Sequence, residues 1–175
     1  MTKHLRQAFA SDIRIRSAAP ERLPSKGVQL VVKEIGEGIV FADGSLRVFA
    51  FSVDHGPVKP AFGYRVDYVG HSVVISGDTK FSRNLIEHSK GADCIIHVAW
   101  SASSRNPTRP GMRTLASGED AGAVFAAVRP KLGVIYHYKE KEGLEAAVRK
   151  EYQGRLIIAR DLMTINIGQR VTVGT

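Results

Sequence analysis

The stretch from Val53 to Asp78 constrains the fold of this chain more than any other part of the sequence. Two short apolar runs, Leu46 to Val53 and Ser72 to Ser76, are each followed by a glycine-containing turn, and these turns carry His55 and Asp78. Loops that follow strands often carry chemistry, and glycine lets the backbone turn tightly beside a displayed side chain. The pattern therefore predicts an imidazole and a carboxylate presented at strand ends, as metal ligands are.

The rest of the chain reads as strands first and then strands alternating with helices, which is typical of an α+β or an α/β domain. Periodicity and turn residues predict strands at Ser11–Arg16, Val28–Ile35, Leu46–Val53, Phe62–Val69, Ser72–Ser76, Asp93–Ala99, Leu132–Tyr136, Leu156–Ala159 and Met163–Ile167, another strand beginning at Ile39, and helices at Phe81–Ser89, Ser117–Val128 and Lys141–Tyr152.

The length of 175 residues and the hydrophobic fraction of 43% predict one globular domain over residues 1–175. No apolar run approaches the roughly 20 residues that cross a bilayer, and the N-terminus lacks the apolar segment of a signal peptide. Met1 to Arg22 is rich in arginine, and this segment reads either as a transit peptide or as the predicted strand. The lone cysteine, Cys94, excludes an intrachain disulfide and indicates a reducing compartment, the cytoplasm.

The net charge of +8 leaves two interpretations open. A basic protein can bind a polyanion such as nucleic acid, but many soluble domains are merely basic, and here the charges are scattered. The polar loop Ser101–Arg113 has the same ambiguity, since its three arginines either clasp a phosphate or are solvated.

Four motifs together resemble the metallo-β-lactamase fold hydrolases, and most closely their ribonuclease Z-like branch. They are, in chain order, DHGPVKPAFGYR, VVISGDT, GADCIIH and PKLGVIYHY. The resemblance implies an α+β fold in which this chain forms one βα half, with extra strands, of the family's αβ/βα sandwich. It implies the hydrolysis of a phosphodiester or an ester.

The resemblance also implies the site residues. In the family, the histidine that matches His55 binds one zinc ion, the aspartate that matches Asp78 bridges two ions, and the histidine that matches His137 binds the second. Asp54 and Tyr138 flank these positions and are candidates for supporting the ligands or contacting substrate.

One departure from the family is the absence of its HxHxDH motif, which supplies most of the ligands for both metals. The chain has six histidines, and no two lie within four residues of each other: His4, His55, His71, His88, His97 and His137. We therefore expect the C-terminal portion of the fold, in which each ion receives only two ligands from this chain. No catalytic residue is assigned.

A second departure concerns tRNA processing. His97 lies where ribonuclease Z-like proteins have a histidine followed by glutamate, but Val98 stands in place of the glutamate. The later histidine of those proteins is also missing around Thr114–Ser117. His97 is therefore either a buried core residue or a functional one. His71, in a turn, and His88, near a helix end, are predicted to face solvent.

Two functions follow as hypotheses. The first is a metal-dependent hydrolase of a phosphodiester, such as nucleic acid, or of an ester. Its missing N-terminal ligands would come from a separate chain or from sequence upstream. The second is an inactive half-fold, or gene fragment, that acts as a binding module. Half a sandwich exposes an apolar sheet face, so the second hypothesis predicts a homodimer or poor solubility.

Overall fold

The structure is a computed structural model that describes residues 2–103 and 114–174. The chain forms two compact units, Met1–Ile35 and Gly36–Thr175. Within the described ranges, none of the helices combines the length and apolar character that a membrane span requires.

The first unit contains two short helices, α1 at Thr2–Ala8 and α2 at Ala10–Ser17, and a single 3₁₀ turn. The strand predicted at Ser11–Arg16 is therefore wrong, and so is the one at Val28–Ile35. The alternation in the first segment has no sheet to pack against, because no side chain of α2 is buried. Instead, Arg16 Nε lies 3.0 Å from Asp12 Oδ1, and this i,i+4 ion pair stabilises a helix.

The second unit is built on a seven-stranded sheet with the strands in sequence order. Its first four strands pair antiparallel and the last three continue parallel to the fourth. The elements are β1 Gly38–Asp43, β2 Leu46–Ser52, β3 Phe62–Tyr68, β4 His71–Ile75, α3 Arg83–Ser89, β5 Cys94–Val98, α4 Gly118–Val128, β6 Leu132–Tyr136, α5 Leu144–Arg149, β7 Leu156–Ile158, β8 Thr164–Ile167 and β9 Val171–Gly174.

The parallel part of this sheet is buried on both faces, as parallel strands usually are. On one face, Ile95 and Ile135 pack with Leu85 of α3 and Phe125 of α4 in the main core. On the other face, Cys94 and its neighbours pack against the β8–β9 hairpin. Burial raises the pKa of the Cys94 thiol to about 11, so this cysteine is an unreactive core residue.

The strands and helices predicted after residue 36 are present, with shifts of a few residues at their ends. Two histidines lie in other surroundings than predicted. The His88 ring stacks on Phe49 at 5.0 Å and on Phe51 at 4.9 Å between ring centroids, so it packs against the sheet and is only partly exposed. His71 begins β4, and its Nδ1 is 3.5 Å from the largely buried Asp93. Most of the predicted Ser101–Arg113 loop lies outside the described residues.

Candidate metal centre

The direction of the strands brings the predicted ligands to one edge of the sheet. β2 and β4 each run antiparallel to β3, and β6 runs parallel to β4 through β5. All three strands therefore end at the same edge, where active sites of such sheets commonly lie. His55, Asp78 and His137 each follow one of these ends.

His55 is held by a backbone carbonyl from a distant part of the chain. Its Nδ1 lies 2.8 Å from the carbonyl oxygen of Thr114. A carbonyl can only accept a hydrogen bond, so Nδ1 carries a proton, and in the neutral ring Nε2 presents a lone pair. This is the arrangement that orients histidine ligands in metal sites. The side chain is 15% exposed, and Nε2 faces Asp78.

Asp78 lies between the two histidines, at the end of a tight turn. The backbone of this turn requires glycine at position 77. Gly77 has φ +62°, and a Cβ there would lie 2.3 Å from the carbonyl oxygen of Phe62. The Asp78 carboxylate is half-exposed, with Oδ2 3.9 Å from His55 Nε2 and Oδ1 3.8 Å from His137 Nε2. Each carboxylate oxygen therefore faces a different imidazole.

His137 directly follows β6 in a left-handed backbone conformation, φ +49°, which is uncommon for a residue other than glycine. Its ring lies 5.7 Å from that of Trp100, centroid to centroid, and the Trp100 carbonyl accepts a hydrogen bond from the N–H of Lys139 at 3.0 Å. These contacts fix the turn after β6. The His137 side chain is 45% exposed, so its face of the site is open to ligands.

The three side chains fit part of a two-metal site. Zinc bonds of about 2.0–2.2 Å at tetrahedral angles put ligand atoms roughly 3.3 Å apart, somewhat closer than the N···O distances here. A catalytic zinc ion takes three protein ligands, whereas the pairs His55–Asp78 and His137–Asp78 offer two each. The described ranges contain no group of three or more His, Cys, Asp or Glu residues that could hold an ion.

Asp54 and Tyr138 have structural partners of their own. Asp54 Oδ1 accepts a hydrogen bond from the N–H of Gly56 at 2.9 Å, and Oδ2 is 3.0 Å from Lys80 Nζ. The Gly56 N–H and the Lys80 ammonium together lower the pKa of this carboxyl. The Tyr138 hydroxyl donates to the carbonyl oxygen of Ala159 at 2.9 Å. Asp54 therefore shapes the turn before His55, and Tyr138 is anchored beside His137.

His97 is completely buried in β5, and its ring meets Phe125 edge-on. Nδ1 lies 2.6 Å from the carbonyl oxygen of Val98, while Nε2 has no hydrogen-bond partner among the described residues. Burial lowers the pKa of His97 to about 4, so the ring is neutral near pH 7. The sequence left His97 as either a buried core residue or a functional one, and these contacts favour the core residue.

Sequence reasoning missed Thr114 and Trp100, which contact the two histidines. Thr114 contacts His55 through its backbone carbonyl, which every residue type has, so the sequence gives no sign of it. Trp100 looks in the sequence like any other apolar residue after a strand. Only the tertiary fold brings Thr114 to His55, 59 residues earlier.

Comparisons with known proteins agree with this architecture. The profile of the family described as "Beta-lactamase superfamily domain" matches residues 2–138. The chain is 31% identical over 98 residues to ribonuclease Z of Mycolicibacterium gilvum, covering 56% of this chain and 34% of that protein. It is 30% identical over 148 residues to ribonuclease Z of Mycobacterium avium, covering 78% of this chain and 52% of the relative. The chain thus spans about half the length, or less, of these relatives.

Solved structures share the fold at lower identity. The metallo-beta-lactamase fold protein YhfI from Bacillus subtilis superposes with a TM-score of 0.60 at 18% identity, covering 77% of this chain and 52% of that one. The short form of human tRNase Z gives a TM-score of 0.56 at 22% identity, covering 71% and 43% respectively. The α+β half-sandwich expected from the sequence and the resemblance to ribonuclease Z are thereby confirmed. The chain belongs to the beta-lactamase superfamily and has the metallo-β-lactamase fold.

Proposed function

We propose that the Gly36–Thr175 unit provides one side of a two-zinc hydrolase centre, in which His55 binds one ion, His137 binds the other and Asp78 bridges them. The observation that carries this proposal is the position of the Asp78 carboxylate, with one oxygen facing the Nε2 atom of each histidine. Imidazole nitrogen and carboxylate oxygen are ordinary zinc ligands, and a shared carboxylate suits two neighbouring ions.

The substrate that we propose is a phosphodiester, with RNA as the first candidate. Support comes from the ribonuclease Z names of the relatives and from the net charge of +8, which attracts a polyanion. When bound, a zinc pair supplies Lewis-acid polarisation of a phosphoryl group and activates water.

The residues of this chain orient the site. The Thr114 carbonyl keeps the proton of His55 on Nδ1, which leaves Nε2 free to bind metal. The Trp100 ring supports His137, and the half-exposed Asp78 leaves one side of the site open to substrate. The single cysteine, buried and unreactive, is compatible with the cytoplasmic location that we propose.

Completing the centre requires at least one further protein ligand for each ion. We propose that a polypeptide with an HxHxDH motif supplies these ligands, either joined ahead of this sequence or as a separate chain. In this proposal the Gly36–Thr175 unit is one half of the sandwich, and the other half packs against its sheet.

A second candidate function, an interaction module without catalysis, is favoured by the apolar face of the antiparallel strands. The register of β1 to β4 puts the side chains of Phe41 and Tyr68 on the same face of the sheet. These side chains are 51% and 58% exposed. Exposed apolar surface of this kind favours association, here with a second copy or with the other half of the fold. Light scattering of the purified chain tests this candidate, and a monomer at every concentration would contradict it.

The only tryptophan of the chain reports on the proposed metal centre, because Trp100 lies 5.7 Å from the His137 ring. We expect Zn²⁺ or Co²⁺ to change the fluorescence of Trp100 with an affinity in the micromolar range or weaker, since two ligands bind an ion loosely. Asp78→Ala should abolish the change. The matched control is His4→Ala, which removes an exposed histidine of the first unit.

A second experiment tests hydrolytic activity. The chain alone and the chain mixed with an HxHxDH-bearing N-terminal half of a ribonuclease Z relative should be compared for zinc content and for hydrolysis of bis(p-nitrophenyl) phosphate. We expect zinc content and hydrolysis to rise together in the mixture. Zinc binding that persists in the Asp78→Ala, His137→Ala double variant would overturn the ligand assignment.

A further inference from the structure

A groove of about 710 Å³ opens directly beside His137. It is bounded by the turn after β6 and by the segment after β7, and its lining residues are Tyr136, His137, Tyr138, Ala159, Arg160 and Asp161. This volume falls within the range of pockets that hold small organic ligands. Because His137 forms part of its wall, a molecule in the groove would lie next to the candidate metal centre.

The groove has a preorganised aromatic wall. The Tyr138 hydroxyl is anchored to the Ala159 carbonyl at 2.9 Å, and its ring packs partly on the main core. Tyr136 is partly buried, and this burial raises the pKa of its hydroxyl. Nucleic acid bases of any sequence stack on aromatic faces held in this way.

The charged end of the groove suits a phosphate. Arg160 is exposed, and in the part of the chain that the structure describes no ion pair engages it. A guanidinium group binds phosphate oxygens through two parallel hydrogen bonds. The neighbouring Asp161 is also exposed, and its carboxylate can accept a hydrogen bond from a sugar hydroxyl while disfavouring a second phosphate.

A second cavity, beside the loop after β2, differs in character. It has a volume of about 740 Å³ and is lined by residues around Asp54 and Lys59, none of which is aromatic. Of these two cavities, the groove beside His137 is the one that offers a base an aromatic surface.

We propose that the groove beside His137 is a mononucleotide subsite, in which the base stacks against Tyr138 and Arg160 binds the phosphate. The assignment rests on the proposed function, because it names the part of the substrate that lies on the His137 side of the scissile phosphodiester. Arg160 and Tyr138 are then specificity-determining residues.

The test uses the full 175-residue chain with uridine 5′-monophosphate, uridine and inorganic phosphate as probes, by calorimetry and by NMR of ¹³C-labelled tyrosine. We expect the monophosphate to bind about tenfold more tightly than uridine or phosphate. Arg160→Gln should weaken monophosphate binding about fivefold or more and leave uridine binding unchanged. Tyr138→Leu should weaken the binding of uridine and of its monophosphate and leave the binding of phosphate unchanged.

Arg47→Gln is the matched control, since Arg47 is an exposed arginine on β2, and this variant should bind all three probes like the parent chain. Equal binding of the monophosphate by the Arg160→Gln variant and the parent, or no binding of the monophosphate by the parent chain at millimolar concentrations, would overturn the subsite. Zn²⁺ titration in the same samples separates the two proposals. Arg160-dependent nucleotide binding without a Trp100 response to zinc would support the subsite and contradict the metal centre. A Trp100 response to zinc without Arg160-dependent nucleotide binding would support the metal centre and contradict the subsite.

Discussion

The Nδ1 atom of His55 and the carbonyl oxygen of Thr114 lie 2.8 Å apart, and this contact links the loop after β2 to the segment before α4. The segment is itself tied to the turn that follows β4, because the N–H of Ala116 donates to the carbonyl oxygen of Thr79 at 2.7 Å. The orientation of one candidate ligand therefore depends on the packing of three separate parts of the chain.

The two nitrogens of His55 can be tested separately. Asparagine places its side-chain N–H₂ near the position of Nδ1, so His55→Asn should keep the hydrogen bond to Thr114 and the unfolding free energy of the parent. His55→Ala should lose about 1 kcal/mol of unfolding free energy in urea. Both variants should lose the Zn²⁺ response of Trp100. Zinc binding by His55→Asn equal to that of the parent would show that Nε2 is not a ligand.

Gly77 should tolerate no side chain. In Gly77→Ala the new Cβ would meet the carbonyl oxygen of Phe62 at 2.3 Å, and the backbone would remain at φ +62°. We expect a loss of about 2–3 kcal/mol in chemical denaturation, together with a displaced Asp78 and weaker zinc binding. Gly70→Ala is the control, because φ is +76° there but nothing lies within 4 Å of the new Cβ. Equal losses in the two variants would mean that the close approach to Phe62 has no energetic weight.

His97 should make the stability depend on pH in mildly acidic solution. Its pKa is about 4 in the folded chain, below the value of about 6.5 of an unfolded histidine, so the unfolded chain binds the extra proton. The stabilisation is complete above pH 6.5 and falls as the pH drops from about 6.5 towards 4, at up to about 1.4 kcal/mol per pH unit. Urea denaturation of His97→Leu across this range should show a shallower slope than the parent chain. An unchanged slope would exclude His97 as the source.

Ser117 should be important for α4 and, through it, for the segment that holds His55. Its hydroxyl accepts a hydrogen bond from the N–H of Asp120 at 3.1 Å, and its own N–H donates to the Asp120 carboxylate at 2.9 Å. We expect Ser117→Ala to lower the unfolding free energy by about 1–2 kcal/mol. Ser117→Asp, which keeps an acceptor at the cap, should recover part of the loss, and Ser82→Ala at α3 gives a matched comparison.

The second unit was largely predictable because local signals agree with its tertiary structure. The capping box at Ser117 and the glycine at position 77 mark element boundaries that the fold keeps. The first unit was not predictable in the same way. Its strand-like alternation has no sheet to pack against, so an ion pair between Asp12 and Arg16 accompanies a helix instead.

The candidate site also has features that the sequence predicts and features that it does not. The residue types and strand ends that carry His55, Asp78 and His137 are visible in the sequence, and the fold brings these side chains together. The surroundings of the other histidines are not visible. His88 lies against Phe49 and Phe51, whose distance in sequence hides the contact, and His97 is buried by the packing of whole elements.

The change from antiparallel to parallel pairing at β4 has a consequence for how the chain acquires its native state. Hairpins join the strands up to β4, so their contacts are local, whereas β5 and β6 reach the sheet only through helical crossovers. Local contacts close sooner than distant ones. We therefore expect the meander that displays His55 and Asp78 to form early in refolding, and His137 to arrive in a slower, later phase.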